Sequence, residues 1–193
     1  MVTFAVIADT HLPEDDGTSQ WSSVFGALDA IRRGRPDAVI VVGDVTAGGR
    51  LDVAQRFRDA LDSLRIPYLL TPGNSDMRAT ETKRAIRRLL TTDAIQLTDC
   101  GILSLDTSSG DAVGIDRIED ACGDGSGSSL VVATHYPLSA LPVATRRRLI
   151  RLLDDGRVSL LLSGHTHRDA ATQYSVGAEI TVRGLDPEKA IGS

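Results

Sequence analysis

Five strand-like apolar runs in this 193-residue chain each lead to a side chain able to bind a metal, and all four histidines lie just beyond such a run. The runs are VTFAVIA before Asp9, Thr10 and His11, DAVIVVG before Asp44, IPYLLTPG before Asn74, SLVVAT before His135, and SLLLSG before His165, Thr166 and His167. An uninterrupted apolar run of this length suits a strand covered on both faces, which is the habit of buried parallel sheets. In open α/β sheets, functional groups collect where loops leave the carboxyl ends of strands. Seven candidate ligands therefore converge although they come from most of the chain. That is the layout of a dinuclear metal centre.

Strand and helix patterns alternate through the first half. A strand is expected at 2–8, a helix at 22–33 stopped by Gly34, a strand at 37–42, and a helix at 51–64 with Val53, Phe57, Leu61 and Leu64 on one side. A strand at 68–71 and a helix at 80–90 follow. The short alternating segments 95–97, 101–105 and 112–116 then predict antiparallel strands, and 123–129 reads as a loop rich in glycine and serine. A strand at 130–134, a helix at 142–153 and a strand at 158–162 resume the parallel rhythm before two short strands near 172–176 and 179–183. The expected fold is α/β: two packed mixed sheets flanked by helices, a four-layer αββα sandwich in a single domain over 1–193.

Charge and composition narrow the function. A net charge of −5 argues against long nucleic acid as a partner, because such binding needs many clustered cations to neutralise phosphates. Arg146, Arg147, Arg148 and Arg151 read as the solvated face of a helix before they read as an anion-attracting patch. No stretch approaches the roughly 20 apolar residues of a membrane span, and the N-terminus enters a strand without a signal-like apolar region, so the expected location is cytoplasmic. Cys100 and Cys122 lack metal-site spacing and read as free thiols. A homo-oligomer is left open.

Taken with their flanking glycines, the candidates form five ordered blocks: Asp9-Thr10-His11, Gly43-Asp44, Gly73-Asn74-Ser75-Asp76, His135, and Gly164-His165-Thr166-His167. In this order the chain resembles the calcineurin-like metallophosphoesterase superfamily over about residues 2 to 168. The resemblance implies that Asp9, His11 and His167 hold one metal, that Asn74, His135 and His165 hold a second, and that the Asp44 carboxylate bridges both. Asp44, Asn74 and His135 are then the expected catalytic residues. Carboxylate, imidazole and amide oxygen suit divalent transition metals, with Mn²⁺ first and Fe, Ni or Zn as alternatives. The implied activity is hydrolysis of a small phosphate ester by metal-activated hydroxide, most simply a phosphodiester. A nucleotide or dinucleotide polyphosphate hydrolase, a phosphomonoesterase and a non-catalytic interaction scaffold are the alternatives. Each residue also has a plainer reading: Asp9, Asp44 and Asp76 as helix N-caps, and each histidine as a hydrogen-bonded loop residue.

Two departures from the family pattern bear on mechanism. Ser75 stands where many members carry histidine in a G-N-H-D block, and a serine hydroxyl does no acid–base work near neutral pH; good leaving groups should react fastest, and Ser75→His should help poor ones if space allows. Gly48 stands where the phosphoprotein phosphatases carry a phosphate-binding arginine; Arg50 is near enough to substitute, or is simply a solvated residue at a helix start. Asp76 is expected to support the metal ligands by hydrogen bonding. The segment 12–21 follows the first ligands, and its acids Glu14, Asp15 and Asp16 should discourage polyanions. Trp21 is expected to cap the core under the first helix in preference to stacking on a substrate ring.

Overall fold

A computed structural model describes residues 2–122 and 129–187; the glycine- and serine-rich segment 123–128 lies outside the described residues. Three strands, β1 Phe4–Ile7, β2 Ala38–Val42 and β3 Tyr68–Thr71, form a sheet in the order β1-β2-β3 that is parallel throughout. Six more, β4 Ala94–Gln96, β5 Cys100–Leu105, β6 Ser129–Thr134, β7 Leu160–Ser163, β8 Ala170–Gln173 and β9 Ala178–Thr181, form a second sheet in the order β4-β5-β6-β7-β9-β8. This sheet is mixed: β5, β6, β7 and β9 run parallel, with β4 and β8 antiparallel at its two edges.

The layers follow from the side chains of β2. Val39 and Val41 face a core shared with helices α1 Ser19–Gly34, α2 Leu51–Asp62 and α3 Lys83–Leu89, while Ala38, Ile40 and Val42 face the second sheet. All five are fully buried. The far face of the second sheet is covered by α4 Ile115–Cys122 and α5 Val143–Asp154, through Ile115 and Ile118 and through Leu149, Leu152 and Leu153. The architecture is thus two sheets face to face between helices. Burying a valine or isoleucine contributes about 1.5–3 kcal/mol, so a strand such as β2 cannot slip register without exposing one face to the wrong layer.

Helix signals are read with small displacements. In α2 the residues Val53, Phe57 and Leu61, four apart, are buried against the core. In α1 the helix includes Gly34, and it is Arg35 that takes the left-handed cap, φ 47°, with its N–H donating to the Ile31 carbonyl. Two strand expectations are corrected. At 112–116 only a single bridge, Asp106 to Val113, is extended; Gly114 at φ +90° turns the chain, and α4 begins at Ile115. The alternating pattern there was the start of a helix whose apolar residues lie three apart. The strand expected at 172–176 is β8, which ends at Gln173 because Tyr174 N–H donates to the Gly177 carbonyl and closes a hairpin turn.

Arg148 on α5 pairs with Glu119 and Asp116 of α4, so the arginine cluster is partly committed to helix packing. Both cysteines are free thiols. Among the described residues no helix is long and apolar enough to cross a membrane.

Candidate metal centre

The two loops that leave β1 and β2 run side by side. Asp9 N–H donates to the Gly43 carbonyl, His11 N–H to that of Asp44 and Leu12 N–H to that of Val45, at 3.0, 3.0 and 2.8 Å. Asp9, His11 and Asp44 thereby share one end of the sheet. From the other sheet, β6 delivers His135 and β7 delivers Gly164, His165 and His167; the His165 N–H donates to Asp9 Oδ2 at 2.9 Å and ties the two sheets together.

Donor atoms converge from both sides. His11 Nε2 lies 3.4 Å from His167 Nε2, 3.6 Å from Asp44 Oδ2 and 4.0 Å from Asp9 Oδ1, and His167 Nε2 lies 3.8 Å from Asp9 Oδ1. The other carboxylate oxygen of Asp44, Oδ1, is 3.4 Å from His135 Nε2, which is itself 3.0 Å from Asn74 Oδ1. One carboxylate thus stands between two donor sets. Two groups, Asp9 with His11 and His167, and Asp9 with Asp44 and His135, each gather their ligand atoms within 4.8 Å of one another. His165 stands apart from these groups: its ring packs edge-on against Tyr136 and His135, at centroid distances of 4.3 and 5.1 Å.

The donor chemistry fits a cation. His135 Nδ1 donates to the Val42 carbonyl at 2.9 Å, since a carbonyl can only accept. In the neutral ring Nε2 is then a lone pair, facing two oxygens that are acceptors as well. Lone pairs gathered without hydrogens repel unless a positive charge lies among them, and a metal-binding histidine usually donates its second ring N–H to just such a carbonyl. Asp9, His11, Asp44 and His135 form a buried floor, while Asn74, His165 and His167 are half-buried and form the open side.

The backbone carries strain at the same place. Asp9, His11, Asp44, His165 and His167 adopt φ of 50°, 44°, 52°, 71° and 57°, in the left-handed region that costs a non-glycine residue about 1–3 kcal/mol. Five of the seven candidates are so placed, whereas elsewhere among the described non-glycine residues only Arg35 and Arg65 share this conformation. Gly43, at φ +89°, has a further reason: a Cβ there would come within 2.7 Å of His135 Nδ1. For Gly73 the reason is space alone, because a Cβ would run into the Asp44 carboxylate and backbone nitrogen.

Asp76 buttresses the loops. Fully buried, its carboxylate accepts from Gly73 N, Val45 N, Thr46 N and Thr46 Oγ1, at 2.9, 3.2, 2.7 and 2.9 Å. Burial, against the pull of these donors and with the nearby Asp44 charge, pushes its pKa to about 6. Burial would also raise Asp44, but His135, the Ser75 N–H and His11 together hold that carboxyl below its usual range. Burial first, and then His135, hold His165 below the usual histidine range, which favours the neutral ring.

Ser75 is fully buried; its N–H donates to Asp44 Oδ1 at 2.8 Å and its hydroxyl to the Thr46 carbonyl at 2.7 Å. The serine hydroxyl is therefore committed to a backbone carbonyl, and Ser75→His would have to displace the groups that bury this position. Arg50 does not reach the centre: it pairs with Glu14 at 2.7 Å and Asp52 at 3.1 Å. Arg56 binds Asp16 at 3.3 Å, so most of the negative charge expected of the 12–21 segment is already paired. Trp21 is buried at the core, its Nε1 donating to the Pro13 carbonyl. Sequence reading missed Gly184, where a Cβ would come within 2.7 Å of His167 Nδ1, and Tyr136 beside His165. Gly184 lies beyond the last ligand block, with no local pattern to mark it.

Two face-to-face sheets whose strand ends gather histidines and carboxylates form a candidate metal site, and the comparisons supply the family. A family model described as calcineurin-like phosphoesterase matches residues 2–169, and the chain belongs to that family. It is 30% identical over 202 residues to the glycerophosphodiester phosphodiesterase GpdQ of Enterobacter lignolyticus (strain SCF1), covering 88% of this chain and 72% of that protein. Its fold matches a dimetal phosphatase from Danio rerio with a TM-score of 0.70 at 16% identity, over 95% of this chain and 88% of that one. It also matches GAP50, the anchor in the inner membrane complex of Plasmodium, with a TM-score of 0.66 at 14% identity over 93% and 70%. A fold found in a phosphatase and in an anchor does not by itself decide activity. The side chains at the strand ends must.

Proposed function

We propose that the protein is a phosphodiesterase working through two divalent metal ions, and that its substrate is a small phosphate ester. The observation that carries this reading is Asp44, whose two oxygens lie 3.6 and 3.4 Å from histidine nitrogens of separate donor sets. Asp9, His11 and His167 would hold one ion and Asn74, His135 and His165 the other, with Asp44 between them. Bound ions supply Lewis acidity, giving a nucleophile from water near neutral pH and offsetting charge on the phosphoryl oxygens. Mn²⁺ is the proposed metal, with Fe, Ni or Zn as alternatives.

The protein's own groups do the rest. The Val42 carbonyl fixes the tautomer of His135, and Asp76 with the Ser75 N–H fixes the position of Asp44. The half-buried side formed by Asn74, His165 and His167 is where a phosphate ester would enter. With the Ser75 hydroxyl spent on a backbone carbonyl, residue 75 offers no proton to a leaving oxygen. Stable leaving groups are therefore favoured, and aryl phosphodiesters should turn over much faster than alkyl phosphomonoesters. Similarity to GpdQ supports the diester reading. Two free thiols and a net charge of −5 support a cytoplasmic setting and a small substrate in preference to long nucleic acid.

The test is metal content together with turnover of bis(p-nitrophenyl) phosphate. Close to two metals per chain, loss of activity on chelation and its return with Mn²⁺ support the reading. Turnover that survives exhaustive chelation, or metal-free protein with no turnover under any metal, overturns it.

A further inference from the structure

His135 and His165 belong to one proposed donor set, yet the chain holds their rings by different means. His135 is fixed by a hydrogen bond, its Nδ1 donating to the Val42 carbonyl at 2.9 Å. Tying the second ring nitrogen in this way is the usual device for orienting a metal-binding imidazole. His165 is tied through its backbone instead. Its N–H donates to Asp9 Oδ2 at 2.9 Å, and neither of its ring nitrogens has a hydrogen-bond partner among the described residues. The backbone, at φ 71°, fixes where the side chain starts, but two side-chain bonds still leave the ring several staggered directions. Another group must set the direction.

That group is Tyr136. Its ring lies edge-on to His165 at a centroid distance of 4.3 Å and an angle of 60°, and edge-on to His135 at 5.2 Å and 64°. The two imidazoles meet at 5.1 Å and 78°, so the three rings form a triangle in which Tyr136 touches both histidines. Aromatic rings have negative faces and positive edges, and an edge-to-face contact therefore restricts orientation as well as position. Tyr136 is itself anchored. Its N–H donates to Thr107 Oγ1 at 3.1 Å, and Thr107, fully buried, is hydrogen-bonded to the Thr134 hydroxyl at 2.9 Å. The half-buried tyrosine also packs against the core that α4 and α5 cover.

We propose that Tyr136 is the positioning residue for His165, its ring fixing the direction of that imidazole where His135 relies on a hydrogen bond. The inference rests on the two-metal reading and adds one residue to that centre. Because the contact is made by the ring and not by the hydroxyl, phenylalanine should serve as well as tyrosine. An aliphatic side chain should not.

The test is calorimetric titration of metal-free full-length protein with Mn²⁺, which reads binding without turnover. Wild type should take up close to two ions. In Tyr136→Leu one ion should bind about 10–100-fold more weakly, as expected when a group that orients a ligand is lost, while the other binds as before. Tyr136→Phe should bind both as wild type does. His165→Ala should weaken the same ion, and adding Tyr136→Leu to it should cost nothing further, because residues that act through one another are not additive. Additive losses, equal weakening of both ions, Tyr136→Leu binding as wild type, or Tyr136→Phe as impaired as Tyr136→Leu overturns the inference and leaves the two-metal reading intact. A second measurement needs no variant and carries the test if Tyr136→Leu does not fold: nuclear Overhauser contacts between the Tyr136 and His165 rings of wild type should persist on loading with Zn²⁺. Their loss on loading overturns the inference as well. Wild type that takes up neither metal removes both.

Discussion

Asp44 and Glu179 are both buried carboxylates reached through parallel strands, and the chain holds them by opposite means. Asp44 sits two residues past its strand in the left-handed region, at φ 52°, with histidine nitrogens on either side of it. Glu179 sits inside a regular strand and is met by an N–H and an O–H. Strain and convergent lone pairs make sense where a cation binds, because the ion repays both. Ordinary strand geometry with neutral donors is enough where no cation is to be held. The difference separates a group placed for electrostatics from one placed for hydrogen bonding.

The largest break in this comparison should come from Asp44→Asn. The variant keeps the size of the side chain and an oxygen to accept the Ser75 N–H, so the circular-dichroism spectrum should be unchanged. The charge between the two donor sets is gone, and several kcal/mol of stabilisation by the metals should be lost with it. A fall of about a thousandfold or more in turnover is expected, with metal content dropping in parallel. Retained activity with metals still bound would show that Asp44 is a packing residue.

Asp76→Ala sharpens the contrast from the structural side. Asp76 accepts from three backbone N–H groups and the Thr46 hydroxyl, all buried. Leaving a buried donor without an acceptor costs about 1–3 kcal/mol, and some relaxation is expected, so the variant should lose roughly 3–5 kcal/mol of unfolding free energy even in metal-free protein. Denaturant midpoints measured with and without metal check this. A variant destabilised only when metal is present would place Asp76 among the groups that act through the ions.

The two regions also differed in how far the sequence exposed them. The candidate metal centre was legible because its signal is local: an apolar strand ending in Gly-Asp, Gly-Asn or Gly-His carries both the strand and the candidate ligand in a few adjacent residues, and β2 with Asp44 is the clearest case. The layered fold was legible for the same reason, since buried parallel strands announce themselves as apolar runs. What was not legible depends on contacts between distant segments. Gly184 is needed because His167 and Asp9 crowd it, and nothing near residue 184 records that crowding. Glu179 is buried only because β9 pairs with β7 in a register that turns it toward α5. The alternation at 112–116 misled because three or four residues cannot distinguish a strand from the first turn of a helix, and Gly114 decided the matter.

The smallest expected effect concerns stability at Glu179. Replacing it with leucine, Glu179→Leu, removes a buried charge from a layer of leucines and leaves the Leu138 N–H without its acceptor. The first change stabilises and the second destabilises, by about 1–3 kcal/mol in the latter case. The two should nearly cancel, and unfolding free energy measured by denaturant titration is expected to move by about 1 kcal/mol or less. A loss of about 3 kcal/mol or more would instead show that the carboxylate pins the 138–140 turn against the sheet, and the contrast with Asp44 would then be one between a candidate metal ligand and a structural device.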